Sequence, residues 1–126
     1  MFRLGLKRAF EARHFLVGGD WGPENSEHAH RYSLEWVLAG PGLDAHGFLA
    51  DLVLLEGALD RTVDRYRGRL LNPLPGFEGR NPSLERFVRL LAEELSAADG
   101  SGLLTERVRL GESESAWAEW EPGEGR

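Results

Sequence analysis

Three histidines are the residues in this chain best placed to do chemistry. His28 and His30 are separated by one residue in a stretch that alternates apolar and polar side chains, so on a strand both imidazoles leave the same face. They are in phase with Tyr32, Leu34 and Trp36, the apolar face of that stretch. His14 is in phase with Phe10 and Ala12 in an earlier alternating stretch. If the two stretches pair as a hairpin across residues 17–27, the three imidazoles converge at the loop end of the sheet. Neutral imidazoles suit zinc, and three protein ligands with a fourth position open to water or substrate mark a catalytic rather than a structural zinc site. Two in-phase histidines serve equally well as a hydrogen-bonded pair. The third, in phase on the neighbouring strand, is what turns the reading towards a metal. His46 sits in a Gly-rich turn and reads as an ordinary surface residue.

Composition limits the alternatives. The chain has 126 residues, 41% hydrophobic and 29% charged, which describes one domain able to bury a core. The formal net charge of −6, with no basic run, argues against nucleic acid as partner. There is no cysteine, so neither a disulfide framework nor a thiolate nucleophile or ligand is available. No window approaches a membrane span, and the N-terminal MFRLGLKRAF alternates rather than forming the apolar run of a signal peptide. A cytoplasmic location and no membrane partner are the expectations.

The elements that must position the histidines follow from periodicity. Residues 2–16 alternate with Phe2, Leu4, Leu6, Phe10 and Ala12 on one face, interrupted by Arg8, and predict a half-buried strand. Residues 17–27 are rich in Gly, Pro and acid, and read as a loop. A second strand covers 28–39. From Asp51 the spacing changes to three and four (Leu52, Leu55, Leu59, Val63, Tyr66), predicting an amphipathic helix with Asp51 as N-cap and Gly68 at its end. After the loop 70–80, Asn81-Pro82 predicts a second helix with Asn81 as N-cap and Pro82 at the first helical position. Its apolar face is Leu84, Phe87, Val88, Leu91 and Leu95. Two further strands are expected. One covers 103–112 with Leu104, Val108 and Leu110 in phase. The other covers about 115–121 with Ala116, Ala118 and Trp120 in phase. The tail, 122–126, is expected to be disordered. The order ββααββ implies an α+β domain over residues 1–121, an antiparallel sheet with two helices on one face.

Taken together these residues resemble the 6-pyruvoyl-tetrahydropterin synthase / 6-carboxytetrahydropterin synthase family. Phe10-x-Ala12-x-His14 is similar to the family's opening Phe-x-Ala-x-His, and His28-Ala29-His30-x-Tyr32 to its His-Gly-His-x-Tyr or Phe. Gly47-Phe-Leu-Ala-Asp51 resembles its Gly-x-x-x-Asp-Phe step. Leu71-Asn72 resembles its Leu-Asn, and Asn81-Pro82-Ser83 with Glu85 its Asn-Pro-Thr-x-Glu. Glu112-Ser113, followed by Ala116 and Trp120, resembles its Glu-Thr with later Ala and Tyr. The matches are in order and cover nearly the whole chain.

The resemblance implies a tunnelling (T-fold) domain assembled into a homo-oligomeric ring, a trimer or a hexamer of two trimers. It implies zinc on His14, His28 and His30, a pterin substrate of the 7,8-dihydroneopterin triphosphate class, and a ring anchor at Glu112 with Ser113 beside it. A carboxylate suits the donor edge of a 2-amino-4-oxo ring. The other reading of Glu112 is an exposed charge at a strand end. The departures concern proton transfer. The family's cysteine before the His-Gly-His is missing. Its Asp-His pair before Leu-Asn is replaced by Arg67-Gly68-Arg69, two arginines suited to phosphate but equally to a solvated loop. Glu24 and Glu27 are the candidate bases in the cysteine's neighbourhood; some members use a glutamate there to cleave the substrate side chain, usually at the position of Asn25. The expected function is a zinc-dependent pterin lyase or synthase with an altered base. The alternative is a catalytically silent pterin-binding homologue.

Overall fold

The computed structural model describes residues 1–123; the expected disordered tail falls in part on 124–126, which lie outside the described residues. Strand β1 (Phe2–His14) is followed by a short 3-10 turn (Gly22–Asn25) and β2 (His28–Gly40). Helices α1 (Leu52–Asp64) and α2 (Leu84–Ala98) come next, then β3 (Leu104–Gly111) and β4 (Trp117–Trp120). The strands form one sheet in the order β1-β2-β3-β4, each pair antiparallel. This is the expected α+β arrangement, ββααββ. Among the described residues no helix is long and apolar enough to cross a membrane.

The period-two faces meet the helices as the alternation requires. Leu6, Phe10 and Ala12 of β1, Tyr32, Leu34, Trp36 and Leu38 of β2, and Val108 and Leu110 of β3 are buried against α1 and α2 in a single core. Phe87 of α2 stands at its centre, its ring edge-on to Phe10, Tyr32, Tyr66 and Phe77 with centroids 5.1 to 6.0 Å away. Arg8, which interrupts the apolar face of β1, reaches α1 instead: its Nε lies 2.7 Å from Asp60, and its guanidinium holds that carboxyl below the usual range.

Three local expectations are corrected. The phase of β3 changes partway along. The register with β2 shifts between Val37 and Leu38, so Thr105 turns inward and Leu104 outward. The reason is polar: the buried Trp36 indole N–H needs an acceptor, and Thr105 Oγ1 provides it at 3.0 Å. The N-cap of α2 is Ser83, whose side chain accepts from Arg86 N, and neither Asn81 nor Pro82 lies in the helix. Asn81 spends its amide elsewhere, on the backbone of Val17. Strand β1 ends at His14 rather than 16 because the next backbone groups turn to side-chain partners.

Asp51 caps α1 as expected, accepting from Val53 N. The chain leaves that helix through Gly68 at φ +72, a conformation costly to any residue with a Cβ. It then runs along the outer edge of β1: Gly68 N donates to Glu11 O, Arg13 N to Arg69 O, and Leu71 N to Arg13 O. The stretch that replaces the family's Asp-His pair is thus zipped onto a strand edge.

Candidate metal centre

The antiparallel register sets Phe10 opposite Tyr32, Ala12 opposite His30 and His14 opposite His28. All six side chains leave the core face, so the three imidazoles stand where that face runs out into the 17–27 loop. Their ring centroids are 4.5, 4.9 and 4.9 Å apart. One ring nitrogen from each lies within 4.8 Å of the others, making them, among the described residues, a group able to hold a metal ion. The convergence expected from phase alone is therefore present. Small Ala12 opposite His30 keeps the third ring from being crowded out of the cluster.

The hydrogen bonds decide which nitrogens are free. His14 Nδ1 lies 3.0 Å from the Pro82 carbonyl and His28 Nδ1 2.8 Å from the Ser26 carbonyl. A carbonyl only accepts, so both Nδ1 atoms carry the hydrogen and each neutral ring turns a lone pair outward on Nε2. Those two Nε2 atoms are 2.9 Å apart. Facing lone pairs repel unless a cation lies between them. His30 Nε2 is buried with no partner at all. Burial lowers the proton affinity of His14 more than its carbonyl bond raises it, which favours the neutral form a metal requires. The donor set thus fits a divalent metal that accepts nitrogen ligands.

Two carboxylates flank the cluster. Glu24 Oε1 is 3.8 Å from His28 Nε2, and Glu112 Oε2 is 3.9 Å from His30 Nε2. Glu24 arrives on the 3-10 turn, whose position is tied down by Leu16 N donating to Glu24 O at 2.8 Å. Asn25 reinforces it, its amide donating to the Leu16 and Gly19 carbonyls and accepting from Trp21 N. The Trp21 ring folds back over Gly19, so close that a Cβ there would lie 1.7 Å from it. Glu27 instead pairs with Arg13 and makes no contact of this kind with the imidazoles.

Glu112 is half-buried at the end of β3, its backbone N held by Ala116 O. With Ser113, Ser33, Ala29, His30 and Tyr32 it lines an open cleft of about 480 Å³ beside the metal ligands. Ser113 is exposed, its hydroxyl 3.3 Å from that of Ser115. Tyr32 forms the floor. Its hydroxyl lies 3.5 Å from His14 Nδ1, and its pKa is pushed far up, first by burial and then by the charge of Glu112, so it stays protonated. Arg67 and Arg69 are exposed and reach Asp64 and the Arg65 carbonyl. His46 is exposed as expected.

Sequence reading missed the Pro82 and Ser26 carbonyls that orient two ligands, and the pairing of Glu27 with Arg13. The first two are backbone groups with no signal of their own. For the third, a cross-strand clue existed in Arg13 lying opposite Ala29, two residues past Glu27.

Comparison with known proteins agrees with this site and fold. The family model described as 6-pyruvoyl tetrahydropterin synthase matches residues 3–123. Among solved structures, the chain is similar to the Caenorhabditis elegans 6-pyruvoyl tetrahydropterin synthase, with a TM-score of 0.82 and 19% identity over 98% of each chain. An uncharacterized protein from Wolinella succinogenes follows at 0.77 and 16%, over 97% of this chain and 98% of that one. A catalytic-residue mutant of Plasmodium vivax 6-pyruvoyltetrahydropterin synthase, with a glutamate replaced by alanine, aligns at 0.65 and 14% over 96% and 97%. At such identities these likenesses speak for the fold alone. No curated protein sequence matches the chain.

Proposed function

The chain belongs to the 6-pyruvoyl tetrahydropterin synthase family, and on that premise we propose that it is a zinc-dependent pterin enzyme in which a carboxylate does the work of the missing thiol. Its substrate is 7,8-dihydroneopterin triphosphate or a related reduced pterin, and its reaction a carbon–oxygen or carbon–carbon lyase step on the side chain. The observation that carries this reading is the convergence of three Nε2 lone pairs between two carboxylates.

When bound, zinc supplies a Lewis acid that lowers the pKa of a coordinated hydroxyl or water. The chain supplies the rest. His14, His28 and His30 hold the metal, and the Pro82 and Ser26 carbonyls fix two of their tautomers. Glu112 accepts hydrogen bonds from the amino-pyrimidinone edge of the ring, with Ser113 at the rim of the same cleft. Glu24, next to the ligands and ionised beside a dication, accepts the proton from the substrate's hydroxyl or carbon. Glu27 is the second candidate, and its ion pair with Arg13 makes it the weaker one. The residue type called catalytic in the Plasmodium vivax neighbour is also a glutamate. Side-chain cleavage needs only such a base, whereas a pyruvoyl or carboxy product also needs a substitute for the Asp-His pair.

A second reading, a silent homologue that binds pterin without turning it over, is favoured by one observation. Residues 67–69, where the family carries its Asp-His pair, are spent on the edge of β1. Incubating the zinc-loaded protein with 7,8-dihydroneopterin triphosphate and identifying the product by mass spectrometry separates the two. A side-chain-altered pterin supports the enzyme. Tight pterin binding without turnover supports the silent homologue. Oligomerisation into a trimer or hexamer and a cytoplasmic location belong to the same proposal.

A further inference from the structure

We propose that Asn81 is a positioning residue of the metal centre: by clamping the backbone of Val17 it sets the Pro82 carbonyl against His14 and so aims the His14 Nε2 lone pair at the metal. The inference rests on the zinc reading above.

The backbone beyond His14 is held by an unusual device. At Arg13 the outer edge of β1 pairs with a peptide segment, through Arg13 N to Arg69 O and Leu71 N to Arg13 O, both 2.8 Å. Two residues on, Phe15 meets the side chain of Asn72 instead: its N donates to Oδ1 at 3.0 Å and its O accepts from Nδ2 at 2.9 Å. Two further on, Val17 meets Asn81 in the same way, at 2.7 and 3.1 Å. A carboxamide offers one donor and one acceptor side by side, as a peptide group does, so the two asparagines continue the strand edge without a strand. The residue between them faces the other way, and Leu16 binds Glu24 and Asn25. Segment 15–17 thus joins the metal ligand to the loop that carries the carboxylate.

The two clamps differ in what is attached to them. Asn72 is followed by a turn. Asn81 is followed directly by Pro82, whose ring fixes φ and holds Asn81 extended. With Asn81 anchored and Ser83 committed to capping α2, little freedom remains for the carbonyl between them, and it lies 3.0 Å from His14 Nδ1. Outer groups that orient a metal-binding histidine typically change metal affinity about 10–100-fold when removed.

The test uses Asn81→Ala, the near-isosteric Asn81→Asp, which keeps the acceptor for Val17 N but lacks the donor for Val17 O, and Asn72→Ala as a clamp of the same kind without the link to Pro82. Two quantities are read: zinc affinity by competition with a chromophoric chelator, and the His14 tautomer by nitrogen-15 NMR of the metal-free protein. Both Asn81 variants should bind zinc about 10–100-fold more weakly and lose the single Nδ1–H tautomer of His14. Asn72→Ala should destabilise the fold with neither effect. Equal zinc losses at the two positions, or an unchanged His14 tautomer in the Asn81 variants, overturn the proposal. If the wild type takes up no zinc yet Asn81→Asp still scrambles the tautomer, the positioning role stands and the zinc reading falls.

Discussion

His14 and His28 face each other across β1 and β2 with their Nε2 atoms 2.9 Å apart, while the Nδ1 atom of each is committed to a backbone carbonyl. Neither ring can turn its hydrogen toward the other without abandoning that carbonyl. The pair is built to share something positive, and the buried, unpartnered Nε2 of His30 completes the opening. Much of the behaviour expected of the protein follows from this contact.

Acid should act on it directly. Burial keeps the folded His14 below its ordinary value of 6.5. As pH falls through that value the unfolded chain takes up a proton the folded chain refuses. Unfolding therefore becomes easier from there down to the depressed folded value, below which the loss levels off. Urea unfolding of the metal-free protein from neutral to mildly acidic pH should show this decline, and His14→Gln should flatten it. Zinc loading should fall over the same interval, because protons compete for the same lone pairs.

The two candidate carboxylates should separate in kinetics. Glu24→Gln should cost turnover about 10²–10⁴-fold, the usual worth of a positioned base, with zinc still bound. Zinc lost along with activity would make Glu24 a ligand instead. Glu27→Gln removes an exposed ion pair, which typically contributes about 0–1 kcal/mol, and should leave turnover close to that of the wild type. Steady-state assays with parallel metal analysis check both.

Helix α2 carries the Ser83 cap and the Pro82 carbonyl at its start and Phe87 at its centre of packing. Phe87→Ala should cost about 3–5 kcal/mol of stability, measured by denaturant unfolding, because four other rings lose their common neighbour. Thr105→Val should cost about 1–3 kcal/mol by stranding the Trp36 indole N–H in the core.

Assembly should follow from the sheet edges. Strand β4 has only four residues, and along β1 the covered edge begins near Glu11. Edges of this kind are rarely left bare, and pairing them between copies closes a ring. Light scattering should give a trimer or hexamer; a stable monomer at micromolar concentration would speak against ring closure.

Much of this was readable from residue order. Alternation placed His14, His28 and His30 on one face, and the pairing of β1 with β2 did the rest, because period two leaves no freedom about which side a residue takes. Asp51 was legible as a cap because its side chain acts on its own helix. What failed to show depended on partners distant in sequence. Asn81 looked like a helix cap, and its amide went instead to Val17, a residue brought near only by the fold. Leu104 looked inward until the indole of Trp36 claimed Thr105 and forced the register shift. Glu24 and Glu27 were indistinguishable in a polar loop. Only the placement of Arg13 beside one and His28 beside the other tells them apart.

The most direct measurement is the metal content of the purified protein, made in metal-replete medium and analysed by mass spectrometry. Three converging Nε2 lone pairs should retain close to stoichiometric zinc, and His28→Ala, which removes one of them, should lose it while the fold survives. A wild-type protein that emerges metal-free and takes up no zinc when it is offered would contradict the account at its centre.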